Sequence, residues 1–356
     1  MDTARRHTEW NRWCSYLSRH SLADPYLRDL SPAARLNVLL AFTASRRTER
    51  LRGDQPLRAG TVASTLRMVG QTFQLAGFPD PRLTPAGSLH LALGRLLHRY
   101  RTADPATQSQ IALPVSLFTD ILQHEGQAPS EGLRAAADWI VIAFFFLLRV
   151  GEYTKPASRT RTTQFRLRDI TFWTTQPNSR RLALPPDANL ATLSQAAEVT
   201  LRLENEKNSQ RDATLHHEAC PGALCPVKAL ARRYVTARAC TSDACETLLC
   251  RYAPDHALTP TMVTTVLHRA AIRLNLWRQG YDLSRIGTHS IRASGAMALF
   301  LNNVPADRIK KVGRWRSDTW LTYIHSQIAS LTYGLSRTMS RPVLFHNIAT
   351  RTHPSL

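Results

Sequence analysis

The stretch that most constrains the fold runs from Thr288 to His325 and reads THSIRASGAMALFLNNVPADRIKKVGRWRSDTWLTYIH. His289 and Arg292 are three residues apart, so a helix would bring both side chains to one face. An imidazole and a guanidinium side by side suit a non-bridging phosphate oxygen. Tyr323 follows about thirty residues later, and a phenol is able to act as a covalent nucleophile. The stretch therefore predicts a helical cluster built around a phosphate.

A second segment, Leu148–Glu152, reads LRVGE and closes the longest apolar run of the chain. That run predicts a helix over Leu133–Leu148 that is buried on all sides, and its apolar part is too short to cross a bilayer. Gly151 fits the C-terminus of this helix. A basic residue such as Arg149 at a helix end also suits the helix dipole. Its partner Glu152 and the downstream stretch favour a functional role instead.

Together the two segments resemble the active-site pattern of the tyrosine recombinases, the phage-integrase family. That pattern is L-R-x-x-E, then H-x-x-R, then G-[H/W], then a tyrosine. The two segments stand here in the family's order, about 140 residues apart. The tryptophan in GRW and the PV-x-AL sequence at residues 226–230 look most like the Crypton-type recombinases of eukaryotic mobile elements.

The resemblance implies a set of catalytic residues and a role for each of them. The scissile phosphate would be bound by four side chains: Arg149, His289, Arg292 and Trp315. Glu152 would support Arg149. Tyr323 would attack the phosphorus, and Lys207, on a hairpin tip, would protonate the leaving 5′ oxygen. The resemblance implies no cofactor and no metal.

One departure from the family pattern leaves a role open. The family places the phosphate donor directly after the glycine and nine residues before the tyrosine. Here Arg314 follows Gly313, and Trp315 stands eight residues before Tyr323. We assign the donor role to Trp315, with Arg314 as the alternative. Tyr333 is the nearby alternative nucleophile.

The periodicities along the chain predict two domains and a mostly α fold class with a small antiparallel β-sheet. Residues 1–104 predict a bundle of at least four helices, the last from Ala86 to Tyr100, which resembles the helical core-binding domain of the family. Residues 105–114 form the predicted linker. Residues 115–356 form the predicted α+β catalytic domain with a C-terminal tail, and the strands of its sheet fall between Phe165 and His217.

The charge of the chain indicates a polyanionic partner. Lys and Arg number 46 against 26 Asp and Glu, so the formal net charge is +20 and the pI is about 10.6. Both halves of the chain are basic, as expected if two domains hold double-stranded DNA. The sequence has no G-x-x-x-x-G-K loop and no internal repeat, which disfavours a nucleotide-dependent enzyme and a repeat protein.

The six cysteines and the N-terminal residues bear on location. MDTARRHTEW lacks the apolar core of a signal peptide, so we expect reduced thiols and an intracellular, DNA-associated protein, nuclear if the source is eukaryotic. The sequence also admits a zinc site, but a paired C-x-x-C is missing and incidental thiols are favoured. The candidate ligands are His216, His217, Cys220, Cys225, Cys240, Cys245 and Cys250.

Three functions remain open at this level. The first is a site-specific recombinase, an integrase or transposase, assembled as a homotetramer on two DNA sites. The second is a type IB topoisomerase-like nicking-closing enzyme, which uses the same residue set as a single copy. The third is an inactive DNA-binding descendant of a mobile element. For a recombinase, the apolar patch Val343–Phe345 in the tail is a candidate contact with a neighbouring protomer.

Overall fold

The structure is a computed structural model, and it describes residues 3–49, 56–105, 110–155, 162–175, 181–205, 211–241 and 246–321, together with residues 337 and 340. The described chain is mostly helical and has a small antiparallel sheet, so the predicted fold class is confirmed. It divides into two compact units, residues 1–107 and 108–356. None of the described helices is long and apolar enough to span a membrane.

The first unit is a bundle of four helices: α1 (Thr3–Arg19), α2 (Pro32–Thr48), α3 (Ala59–Leu75) and α4 (Leu91–Ala103). Ser31 begins α2, because its hydroxyl accepts a hydrogen bond from the Ala34 N–H at 3.3 Å and a proline follows it. The apolar faces of the helices meet in one core around fully buried aromatic residues: Trp13, Phe42 and Phe73.

The last helix of this bundle begins later than the sequence predicts. Gly87 lies in the left-handed region with φ +77°, and the Thr84 N–H donates to the Ser88 carbonyl at 2.7 Å. This turn delays the start of α4 from Ala86 to Leu91. Leu89 is consequently 43% exposed instead of facing the core.

The second unit is organised around α6. Its helices are α5 (Val115–His124), α6 (Glu131–Phe145), α7 (Val150–Tyr153), α8 (Leu190–Ser194), α9 (Pro226–Ala239), α10 (Pro260–Arg273), α11 (Thr288–Leu301) and α12 (Ala306–Val312). Every residue of α6 from Ala135 to Phe144 is buried, because α5, α9, α10 and α11 pack around it. The predicted buried helix is therefore present, and it ends at Phe145.

A four-stranded antiparallel sheet packs on α9 in the strand order β2-β1-β3-β4. The strands are β1 (Ile170–Thr175), β2 (Arg181–Ala183), β3 (Glu198–Asn205) and β4 (Arg211–Glu218), and a separate ribbon is formed by β5 (Arg251–Ala253) and β6 (His256–Ala257). Alternate apolar residues face the helix, and Phe172 meets Tyr234 edge-on at 5.6 Å between ring centroids. The pair Asn205 and Arg211 is the last one before the segment that contains Lys207.

Residues 110–114, predicted as part of the linker, pack along α11. The Ile111 N–H donates to the Arg285 carbonyl at 3.3 Å, and the Leu113 N–H donates to the Ser294 hydroxyl at 2.7 Å. Ile111 and Leu113 are buried. This short segment therefore belongs to the second unit and lies against the helix that carries His289.

Candidate active site

The site begins at the turn that ends α6. The Phe146 N–H donates to the Ile142 carbonyl at 3.0 Å, the Leu148 N–H donates to the Ala143 carbonyl at 3.1 Å, and Leu147 has φ +48°. This is the Schellman arrangement, in which glycine usually takes the left-handed position. A leucine there is disfavoured by about 1 kcal/mol. Gly151, which the sequence suggested for this role, lies inside α7.

Arg149 follows this turn and begins α7. Its backbone N–H donates to Glu152 Oε2 at 2.8 Å, and its Nη1 donates to Glu152 Oε1 at 3.3 Å. The Glu152 side chain is fully buried, whereas that of Arg149 is 17% exposed. The carboxylate therefore fixes both the backbone and the guanidinium of Arg149, and the guanidinium still reaches the surface.

The N-terminus of α11 is capped by a side chain from far away in the sequence. Gln110 Oε1 accepts the backbone N–H of His289 at 2.7 Å and that of Ser290 at 3.2 Å. Gly287 makes the approach possible, because a Cβ at that position would overlap the Gln110 side chain. His289 is exposed at this capped end, so the cap fixes the backbone from which its imidazole projects.

Arg292, one turn further along α11, links three elements. Its Nη1 donates to the Leu147 carbonyl at 2.8 Å, and its Nη2 donates to the Gly313 carbonyl after α12. Gly295 lets α11 approach this closely, since a Cβ there would overlap the Phe144 carbonyl oxygen. Arg292 is only 3% exposed. The two predicted arginines thus meet at one turn, because Leu147 precedes Arg149 by two residues.

A second left-handed turn ends α12. The Arg314 N–H donates to the Lys311 carbonyl and the Trp315 N–H to the Lys310 carbonyl, both at 3.0 Å, and Arg314 has φ +57°. The Trp315 ring folds back over Gly313, where any Cβ would overlap it. The same ring covers the Arg292 guanidinium at 4.4 Å from its centroid. Gly313 is therefore required for Trp315 to reach Arg292.

Arg314 and Trp315, the two residues left open by the sequence, point in different directions. Arg314 Nη2 donates to Glu152 Oε2 at 3.0 Å and to the Leu147 carbonyl at 3.2 Å. Its side chain is 3% exposed. Trp315 is half-buried beside Arg292. Arg314 thus lies in the interior, on the carboxylate that holds Arg149, and Trp315 is the more accessible of the two residues.

Two predicted catalytic residues, Lys207 and Tyr323, lie outside the described residues, as do Tyr333 and the tail patch Val343–Phe345. The described chain approaches Tyr323 through a 3₁₀ turn at Asp318–Trp320, where Trp320 is 1% exposed and packs with Ala293, Ala296 and Ile309. Trp320 therefore anchors the chain three residues before the predicted nucleophile.

Sequence reasoning did not identify the Gln110 cap, the Leu147 carbonyl as a common acceptor, or the pairing of Arg314 with Glu152. Gly287 and Gly295, which flank the His289-x-x-Arg292 pair, were the signal available for close approach to α11. Gln110 stands in a polar segment and gave no signal of its own.

No group of three or more His, Cys, Asp or Glu side chains within the described ranges is placed to hold a metal ion. The Cys220 N–H donates to Cys225 Sγ at 3.3 Å, and Cys225 and Cys250 are buried. Burial raises the pKa of the Cys250 thiol to about 11. Cys245 lies outside the described residues.

No protein-family profile and no curated protein matches the chain. Among solved structures, it is similar to the Tn1549 transposon integrase in complex with transposon right end DNA, with a TM-score of 0.48, 10% identity, and coverage of 94% of this chain and 92% of that one. It is also similar to the XerH site-specific recombinase bound to difH substrate, with a TM-score of 0.49, 13% identity, and coverage of 92% of this chain and 75% of that one. A lambda integrase tetramer bound to a Holliday junction gives a TM-score of 0.33 and 13% identity, with coverage of 89% of this chain and 76% of that one. Values this low describe a distant likeness and do not assign a function.

Proposed function

We propose that this chain is a site-specific DNA recombinase that cleaves and rejoins strands through a 3′-phosphotyrosyl intermediate. The observation that carries the proposal is the anchoring of Arg292 on the Leu147 carbonyl, two residues before Arg149. This contact brings the L-R-x-x-E and H-x-x-R segments together across 145 positions of sequence. His289 stands one helical turn before Arg292, at the capped end of α11.

In the proposed reaction, the Tyr323 oxygen attacks the scissile phosphorus while the bond from phosphorus to the 5′ oxygen breaks. His289 accepts the phenolic proton, and Lys207 gives a proton to the departing 5′ oxygen. Arg149 and Arg292 offset the charge of the pentacoordinate transition state, and the Trp315 indole N–H donates to a phosphate oxygen. A 5′ hydroxyl of another strand then reverses the step.

The proposed step exchanges one phosphodiester bond for another, so it requires no nucleotide cofactor. Guanidinium groups supply the positive charge, and we propose that the reaction proceeds without a metal. We further propose that the partner is double-stranded DNA held by both basic units, with a homotetramer assembled on two sites. A type IB topoisomerase-like enzyme would act as a single copy, so the mass of the DNA complex distinguishes the two functions.

The finer assignment is to the Crypton-type recombinases of mobile elements. Its support is the GRW sequence together with the PV-x-AL sequence at residues 226–230. The inward direction of Arg314 leaves Trp315 as the accessible residue after Gly313, which supports Trp315 as the phosphate donor. A DNA-associated location, nuclear in a eukaryotic source, belongs to the same proposal.

The test is covalent trapping on nicked duplexes that carry candidate element ends, followed by denaturing electrophoresis in EDTA. We expect a protein–DNA band from the wild type and from Tyr333→Phe, and none from Tyr323→Phe. A band that survives Tyr323→Phe but disappears in Tyr333→Phe would move the nucleophile to Tyr333. Absence of a band on a random-sequence library, with DNA binding retained, would support the inactive DNA-binding function.

A further inference from the structure

We propose that Arg314 is a positioning residue that acts on Arg149 through Glu152. Its charge keeps the group of Arg149, Glu152 and Arg314 net positive, so that Arg149 attracts a phosphate. The inference rests on the proposed function and concerns the same site. Arg314 follows Gly313 directly, which is where the family pattern has its phosphate donor, and it was the alternative to Trp315 for that role. Its contacts assign it a different task.

The geometry places one carboxylate between two guanidinium groups. Glu152 Oε2 accepts the Arg149 backbone N–H at 2.8 Å and Arg314 Nη2 at 3.0 Å, while Oε1 accepts Arg149 Nη1 at 3.3 Å. Glu152 is fully buried, so solvent screens these interactions little. Loss of the Arg314 charge would therefore change the electrostatic environment of the carboxylate that holds Arg149.

The formal charges explain why a second arginine is useful. Arg149 and Glu152 alone would form a neutral pair, and a neutral pair attracts a phosphate monoanion weakly. With Arg314 included, these three groups sum to +1, in addition to the charge of Arg292, which shares the Leu147 carbonyl with Arg314. Because Arg314 is 3% exposed and Arg149 is 17% exposed, the surplus charge faces the surface at Arg149.

The backbone of Arg314 provides independent support. Its φ of +57° is a conformation in which glycine is the usual residue at a helix end. An arginine there is sterically disfavoured, and the contacts of its side chain with Glu152 and the Leu147 carbonyl stabilise the turn. Arg314 Nη2 also donates to the Leu147 carbonyl at 3.2 Å, the acceptor that Arg292 uses. Arg314 thereby helps to hold the turn from which Arg149 emerges.

The experiment compares single-turnover cleavage of two nicked duplexes. One carries the natural phosphate at the scissile position, and the other carries a methylphosphonate, which lacks the negative charge. Duplex affinity and thermal unfolding are measured on the same proteins. The variants are Arg314→Met, which keeps length without charge, Arg314→Lys, which keeps charge, and Arg308→Met as a matched control on the exposed face of α12.

We expect Arg314→Met to cleave the natural phosphate on the order of 10- to 100-fold more slowly than wild type, with duplex affinity retained. On the methylphosphonate, we expect Arg314→Met to come close to wild type, since there is no phosphate charge left to offset. Arg314→Lys should retain most of the activity on both substrates, and Arg308→Met all of it. An equal loss on both substrates, or no loss on either, would overturn the proposal.

A double variant keeps the inference testable if Arg314→Met folds poorly. Glu152→Gln combined with Arg314→Met removes both buried charges and returns the net charge of the group to +1. We expect the double variant to cleave the natural phosphate faster than Arg314→Met alone. A further loss in the double variant would contradict the charge mechanism. If wild type forms no covalent product on either substrate, the proposed function itself fails and this inference fails with it.

Discussion

The Trp315 ring lies over the Arg292 guanidinium, with 4.4 Å between Arg292 Cζ and the ring centroid. A phenyl ring would preserve this cation–π contact, although more weakly, and would remove the indole N–H. We therefore expect Trp315→Phe to slow DNA cleavage on the order of 100-fold while the protein stays folded. Single-turnover trapping measures the effect, and Trp277→Phe, at a 52% exposed tryptophan, is the matched control. Wild-type cleavage by Trp315→Phe would mean that the indole acts by packing alone.

Gly313→Ala tests the contact between the Trp315 ring and Arg292 by filling the space that the ring occupies. The new Cβ would overlap the Trp315 ring, so the ring must leave its place over Arg292. We expect the free energy of unfolding to fall by about 1–3 kcal/mol and cleavage to slow on the order of 100-fold, as in Trp315→Phe. Gly60→Ala is the control, because nothing lies within 4 Å of a Cβ at that glycine. If Gly313→Ala cleaves like Gly60→Ala, the position of the ring is unimportant.

Gln110→Ala removes the cap from the helix that carries His289. Loss of a cap typically lowers the free energy of unfolding by about 1 kcal/mol. We also expect cleavage to slow by roughly 3- to 10-fold, because the His289 backbone loses its 2.7 Å hydrogen bond. Ser31→Ala, which uncaps α2 in the first unit, should lower stability without slowing cleavage of bound DNA. Equal cleavage by the two variants would show that Gln110 contributes stability only.

His217 makes the second unit sensitive to acid. Burial between the rings of Phe145 and Phe146 lowers its pKa from 6.5 to about 4. Below pH 6.5 the unfolded chain takes up a proton that the folded chain refuses, so stability is lost as the pH falls toward 4 and is fully present above 6.5. The loss should reach about 2 kcal/mol at pH 5 and about 3 kcal/mol below pH 4.

Urea unfolding at pH 7.5 and pH 5 measures this difference. His217→Phe should show a smaller loss of stability between the two pH values than wild type. His256→Gln, at an exposed position of β6 in the same unit, should behave like wild type. A pH dependence unchanged by His217→Phe would assign the acid sensitivity to other groups.

Features that are encoded locally could be predicted from the residues alone. The unbroken apolar run predicted the buried α6, alternation predicted strands between Phe165 and His217, and the three-residue spacing placed His289 and Arg292 on one helix. These predictions succeeded because the period of apolar residues reports directly which faces an element must bury.

Which side chains meet depends on the folded arrangement of the helices. Arg314 reaches Glu152 across 162 positions of sequence, and Gln110 reaches His289 across 179. Leucine and arginine carry no local signal for a left-handed turn, yet Leu147 and Arg314 adopt one at the ends of α6 and α12. Those turns are held by the hydrogen bonds of Arg292 to the Leu147 and Gly313 carbonyls and by the ion pair of Arg314 with Glu152. These partners lie far apart in the sequence, so they become adjacent only when the whole unit has folded.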